Sequence, residues 1–331
     1  MSRSIRLVVA FVAAMIVVSL DALAAEPAAS KNSPLTLPSP ARGEGSKSAP
    51  KPGSVAPVDR AQSKTLRLAS CSIFPEKWDK AGNADKIERT VREAAAKGAQ
   101  LVVTPEGVLE GYLINVVNEE KDPARKAELT KKFYEIAEPL DGPYIQRFLK
   151  LTDELNVHLI LGFLEREGET FYNTAALLGP DGKLVGRYHK THFAQGYDIN
   201  PKGYIPGDEY PVFNIGSLKV GMMICFDRQV PETARQLALN GADVIACPSY
   251  GSKGDWNTRL MQVRAYENQA WVTFTHPEQS LIIDNNGKLV EETSKDQVVI
   301  HEIDLTDLAK TRKAVTNRRP TTYKRLRETT P

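Results

Sequence analysis

From Thr65 onward, short apolar runs of strand length alternate with amphipathic stretches of helix length, and no other feature restricts the possible folds as tightly. "TLRLASCSI" reads as a strand. "NADKIERTVREAAAKGA" follows as a helix, with Asn83 as its cap, Ile87, Val91, Ala94 and Ala95 at helical spacing, and Gly98 as its stop. "QLVVTPE" is then a short buried strand, and a strand–helix–strand crossover of this kind favours parallel pairing. "EEKDPARKAELTKKFYEIAEPL" is polar and helical, "DGPYIQRFLKLTDELN" is helix, "VHLILGFLE" is strand, and "TFYNTAALLGPDGKLVGRYHK" is two strands turning at Pro180-Asp181-Gly182. Thr191 to Gly207 reads as a long loop, a length that often carries function. "PVFNIGSLKVGMMIC" forms a hairpin at Gly216-Ser217, "PETARQLALNGA" a helix opened by Pro231, "DVIACPS" a buried strand and "WNTRLMQVRAYENQ" a helix, before strands close the series through "QVVIHEID". The interleaving contains no second linker, so one mixed α/β domain spans residues 64–315, with a tail over 316–331. Its two halves share the alternation without a residue-level repeat, which leaves a pseudo-symmetric pair of sheets open.

Ahead of this domain, Arg3 and Arg6 precede an apolar run from Leu7 to Leu20, and Ala22 and Ala24 supply an A-x-A cleavage pattern. Residues 1–24 are therefore expected to be a signal peptide, since the run is shorter than the ~20 residues a spanning helix needs. Residues 25–63 are rich in Pro, Ser, Ala, Gly and Lys and form a disordered linker, too poor in large apolar groups to offset its ordering entropy. The expected destination is export, to the periplasm or the medium, with no membrane association after cleavage. A formal charge of +2 gives no basis for a nucleic-acid partner. Three widely spaced cysteines are not a disulfide framework, and Cys71 and Cys247, each within an apolar run, read as buried small hydrophobes. Without C-x-x-C or H-E-x-x-H, neither a metal site nor a cofactor is indicated.

Three apolar runs end in something reactive: "QLVVTPEG" in Glu106, "LVGRYHK" in Lys190 and "VGMMIC" in Cys225. In α/β folds, ligands gather beyond the carboxyl ends of strands. A carboxylate, an ammonium and a thiol suffice to attack a carbonyl bonded to nitrogen. The carboxylate takes the thiol proton and returns it to the departing amine, while the cation stabilises thiolate and oxyanion.

With "PEGVLEGY", "DGKLVGRYHKTHF", "GMMICFDRQVPETARQLALNGADVIACPS", "RAYENQAWV" and "RRPTTY" in this order, the chain resembles the nitrilase superfamily of carbon–nitrogen hydrolases over about Leu66 to Tyr323. The resemblance implies a four-layer α-β-β-α sandwich with a Glu-Lys-Cys triad. Glu106 would be the general base and acid, Lys190 the stabiliser of oxyanion and intermediate, Cys225 the nucleophile, and the Phe226 backbone N–H the second oxyanion donor. The implied substrate is a small amide or N-carbamoyl compound, cleaved at a non-peptide C–N bond through a thioester. Nitrile-cleaving relatives usually follow the nucleophile with Trp-Glu, whereas Phe226-Asp227 stands here. The family's second glutamate has no clean counterpart: Asp198 is the nearest acidic residue, Asn200 fits another gap placement, and Glu209 falls after Pro206-Gly207. Members commonly pair through the helix after the nucleophile, with C-terminal tails crossing the partner, so "NRRPTTYKRLRE" implies at least a homodimer.

Around the triad, Tyr172, Asn173 and Tyr250 adjoin the motif segments as pocket residues, and Tyr112 adjoins them too. Arg228 is either a structural partner or, as in carbamoylase-like members, the holder of a substrate carboxylate. Asp227 reads as a structural contact, Glu267 as a buried structural carboxylate beside Arg264, and His276 as a loop histidine. Two rival classes remain: a non-catalytic binding module that keeps the fold, which loss of a triad member would favour, and a papain-like protease, for which the cysteine's surroundings and a downstream His-Asn context are missing.

Overall fold

The computed structural model describes residues 65–194, 200–306, 308 and 312–323; the leader, the linker, Asp198 and the last eight residues of the tail lie outside the described residues. The expected alternation is present. Strands β1 (Thr65–Cys71), β2 (Leu101–Val103), β3 (His158–Glu167), β4 (Thr170–Leu178) and β5 (Leu184–His189) are followed by β6 (Val212–Ile215), β7 (Leu218–Met222), β8 (Val244–Pro248), β9 (Trp271–Thr275), β10 (Gln279–Ile283), β11 (Leu289–Ser294) and β12 (Val298–Asp304). The longer helices are α1 (Lys80–Ala96), α2 (Ile114–Glu119), α3 (Pro123–Ile136), α4 (Pro143–Leu155), α5 (Pro231–Leu239) and α6 (Asp255–Asn268).

The strands form two six-stranded sheets, in the orders β12-β1-β2-β3-β4-β5 and β11-β10-β9-β8-β7-β6. In each, two parallel pairings at the centre (β1-β2-β3 and β7-β8-β9) are flanked by antiparallel ones. The pairing pattern from β6 to β11 is the pattern of the first sheet, with β12 standing where β6 stands in the second. The two halves are thus related in topology although their sequences do not repeat.

Alternation along the strands decides the layers. On β1, Leu66 and Leu68 enter the cluster between the sheets, and Ala69 and Cys71 enter the one beneath α1 and α4. Leu68, Val103, Ile160 and Leu177 of the first sheet meet Val220, Met222, Ala246 and Ile282 of the second. Outside them, Ile87 and Val91 of α1 and Phe148 of α4 cover one sheet, while Leu237 of α5 with Met261 and Ala265 of α6 cover the other. The result is the α-β-β-α sandwich. Each fully buried Leu, Ile, Val or Phe contributes about 1.5–3 kcal/mol, and these layers, more than intrinsic propensity, hold the helices.

Two local expectations need correcting. Helix α1 begins at Lys80, capped by Asp79, whose carboxylate accepts the Gly82 N–H; Asn83 lies inside the helix, buried, and its amide ties Glu76 and Leu109 to it. Helix α2 was not expected, because "INVVNE" is too short to show a period. With α3 it packs Val117, Leu129 and Phe133 against Leu164 and Phe171, forming a roof over one end of the first sheet.

Candidate active site

Glu106 follows β2, buried between β1 and β3, and its own carboxylate is wholly buried. The chain reaches this place only because position 162 of β3 is glycine: a Cβ there would stand 2.1 Å from Pro105 O and 3.0 Å from Glu106 Cα. Three donors converge on the carboxylate. Oε1 accepts from Lys190 Nζ at 2.6 Å and from Asn173 Nδ2 at 2.8 Å, and Oε2 accepts from the Tyr250 backbone N–H at 2.9 Å.

Lys190 continues β5, where its N–H donates to Asn173 O and its carbonyl accepts from Gly207 N. Burial works against its charge. The neighbouring Glu106 carboxylate, with the Cys225 thiol in electrostatic reach, outweighs burial and raises the ammonium pKa well above the usual lysine value. Because the folded value lies above the unfolded one, the contribution of the Lys190 ammonium to stability is in place below about pH 10 and is lost as pH rises through the folded value.

Cys225 opens a 3₁₀ turn (Cys225–Gln229), separated by two residues from the end of β7, and adopts a left-handed φ of 48°. Non-glycine residues seldom occupy that region, so the turn must be held by its surroundings. Asp227, wholly buried, supplies the hold: its Oδ2 accepts from Ile224 N at 2.9 Å and Tyr188 Oη at 2.8 Å, and its Oδ1 accepts from Thr191 Oγ1 at 3.0 Å and His192 N at 2.9 Å. One carboxylate therefore fastens the cysteine turn to the segment that follows Lys190. Asp227 N–H makes the first bond of the turn, to Ile224 O, which leaves the Phe226 N–H ahead of the turn's own bonding. Gly251 lies against the thiol, and a Cβ there would come within 3.0 Å of Cys225 Sγ.

The other sequence-derived residues divide. Asn173 is at the site through Glu106, and its neighbour across the hydrogen bond is Tyr204. Tyr250 is there through its backbone, with its ring stacked on Tyr112 at 4.4 Å between centroids. Tyr172 is not: strand alternation turns it to the helix-covered face of β4, where it stacks on His189 at 3.8 Å. Asp198 lies outside the described residues. Arg228 is buried and donates to Cys225 Sγ. Glu267 is half-buried, not buried, and pairs with Arg264. His276 is buried and kept neutral by burial, bracing the carbonyls of Tyr250 and Gly251. Cys71 and Cys247 are fully buried, and burial pushes Cys247 up to about 12 and Cys71 further, so neither ionises. Among the described residues no cluster of three or more His, Cys, Asp or Glu is placed to hold a metal, and no helix is long and apolar enough to cross a membrane.

Several residues of the site carried no sequence signal. Asn257, near the start of α6, holds Arg228 Nε at 2.6 Å, and Gly162 clears room for Glu106. Glu110 sits buried near Glu106, its carboxyl pushed by burial to about 7 while the Leu164 N–H works the other way. It borders a water-sized pocket shared with Asn173 and Tyr204.

Comparison with known proteins gives the family. The family model described as carbon-nitrogen hydrolase matches residues 67–313. The chain is 30% identical over 279 residues to "Omega-amidase NIT2-B" of Xenopus laevis, covering 77% of this chain and 93% of that protein. It is 34% identical over 208 residues to "Nitrilase" of Pyrococcus abyssi, covering 62% of this chain and 72% of that protein. Among solved structures, Saccharomyces cerevisiae Nit3, a nitrilase-superfamily member, superposes with a TM-score of 0.64 at 22% identity, covering 80% of this chain and 97% of that one.

Proposed function

Since the chain belongs to the carbon–nitrogen hydrolase family of the nitrilase superfamily, we propose that Cys225, Glu106 and Lys190 form its catalytic triad and that it hydrolyses small amides or N-carbamoyl compounds. The observation that carries this reading is the buried 2.6 Å contact of Lys190 Nζ with Glu106 Oε1, within electrostatic reach of the thiol.

The steps follow from the donors in place. Glu106 takes the thiol proton, and the thiolate sulfur attacks the carbonyl carbon. The C=O π pair moves onto oxygen, facing Lys190 Nζ and the Phe226 N–H. Glu106 then gives the proton to nitrogen, the C–N bond breaks, and ammonia or an amine departs, leaving a thioester. Water, deprotonated by Glu106, attacks the thioester; the C–S bond breaks with its electron pair going to Cys225 Sγ, Glu106 returns the proton to that sulfur, and the acid leaves. Each step needs Glu106 to change proton state while Lys190 stays charged, and the strong hold on the ammonium suits that division.

Ammonia release from a panel of short primary amides, N-carbamoyl amino acids and the matching nitriles tests the reading. Amides or carbamoyl compounds are expected to turn over at least tenfold faster than nitriles; a panel hydrolysed only at nitriles would overturn the substrate class.

The proposed assembly is a homodimer through the α5–α6 face. Trp256, Val263 and Tyr266 of α6 are 74%, 50% and 67% exposed, and spacings of seven and three residues put them on one side of the helix. Light scattering on a size-exclusion column should give twice the chain mass, falling to one chain in Trp256→Glu. An unchanged mass in that variant would rule the face out.

A further inference from the structure

Arg228 stands three residues after Cys225 with 2% of its surface exposed, and three bonding partners fix its guanidinium. Nη1 donates to Cys225 Sγ at 3.4 Å, Nη2 to Ser252 O at 2.8 Å, and Nε to Asn257 Oδ1 at 2.6 Å. Its plane lies over Phe274, 5.3 Å from the ring centroid. A substrate carboxylate is gripped by two parallel N–H groups on one edge of the fork. Here each edge already has a member bonded to protein, and one N–H is aimed at the sulfur. Burial opposes the charge, yet the Cys225 thiol beside it helps to raise the guanidinium pKa further.

We propose that Arg228 is a catalytic residue that holds Cys225 Sγ as the thiolate, clamped on the sulfur by Asn257 and the Ser252 carbonyl, and that it does not read a substrate carboxylate. The proposal rests on the reading of Cys225 as nucleophile. It gives the two cations separate tasks. Arg228 stabilises the attacking sulfur before reaction, and Lys190 is left to meet the oxygen that becomes negative during it. The guanidinium keeps its proton at any pH the enzyme meets, and its planar fork lets one side bind sulfur while the other is anchored. The same clamp helps to hold the cysteine turn at its left-handed φ, because Ser252 and Asn257 belong to the segment that opens α6.

The test is the pH dependence of iodoacetamide labelling at Cys225, read by mass spectrometry of the peptide that carries it. Other titratable groups in electrostatic reach of this thiol are Lys190 beyond β5, Tyr112 beyond β2 and Cys247 on β8, with Glu106 paired to Lys190 and Asp227 on the same turn, and all are retained in the variants. In Arg228→Gln the midpoint of labelling should rise by at least one pH unit, about a tenfold loss of rate on the acid side. Arg228→Lys should recover part of it. The preference between an N-carbamoyl amino acid and a neutral amide of equal size should stay as in the wild type. An unchanged midpoint, or a loss confined to the carboxylate-bearing substrate, would overturn the proposal. If Arg228→Gln does not fold, Asn257→Ala reports the same quantity with the cation present but clamped by the Ser252 carbonyl alone: a raised midpoint supports the clamp, and an unchanged one refutes it. Wild-type protein that still hydrolyses amide after complete Cys225 labelling would refute the nucleophile reading itself, a result distinct from either.

Discussion

Cys225→Ala is expected to lower kcat by about a millionfold, the scale seen when a covalent nucleophile is removed from an intact site. The side chain is 5% exposed, and its loss removes one sulfur from the inter-sheet cluster while Asp227 still fixes the turn. The variant should therefore remain folded and still bind substrate. Ammonia release measured beside thermal unfolding separates the two effects. Turnover that survives in a folded variant would mean that another group attacks the carbon. Cys225→Ser sharpens the result: the oxygen occupies nearly the same place but is far harder to ionise, so this variant should fold equally well and recover very little rate.

Lys190→Met should cost at least about 10²–10³ in kcat, the loss typical of one oxyanion donor, and more because the methionine also unpairs Glu106. Glu106 would sit wholly buried with the Asn173 amide and the Tyr250 N–H as its remaining donors. Breaking a buried pair by deleting one partner costs roughly 3–5 kcal/mol of stability, and a proton taken up by the stranded carboxylate would remove the base as well. What activity remains should increase with pH, since only the ionised carboxylate can accept the thiol proton. Steady-state rates between pH 6 and 9, with melting temperatures on the same samples, read both consequences. A variant with near wild-type rate would exclude a Glu-Lys-Cys mechanism and return attention to a cysteine–histidine pair.

How far the sequence could lead is clearest at particular positions. Glu106, Lys190 and Cys225 were legible because each ends an apolar run, and the fold brings the ends of β2, β5 and β7 together. The parity of β4 was not legible. Residues 173–178 are buried on both faces, so no polar alternation reveals that Asn173 turns inward and Tyr172 outward. The aim of Arg228 was equally hidden, since it depends on a 3₁₀ turn entered at positive φ and on Asn257, 29 residues away. Asp227 read as structural, and its four bonds to surrounding backbone and hydroxyl groups give that reading its content. The capping role given to Asn83 failed because Asp79, four residues earlier, offers the free carboxylate and Asn83 is drawn into buried bonds.

The substitution of β12 for a local edge strand in the first sheet sets a clock. β1 begins the sandwich in translation, yet its outer neighbour is nearly the last strand made, with Thr65 opposite Asp304 and Cys71 opposite Val298. At roughly 5–20 residues per second of synthesis, β1 waits on the order of 10–50 s with one side unpaired. The second sheet has no such delay, because β6 precedes β7 directly and pairs with it across Gly216. During that interval the front of the chain offers an open row of backbone donors and acceptors to any other strand nearby. A ribosome that stalls, or a gene truncated, anywhere before Val298 would leave this edge permanently uncovered. The hazard of an incomplete chain is therefore self-association through β1, even where Glu106, Lys190 and Cys225 have all been made.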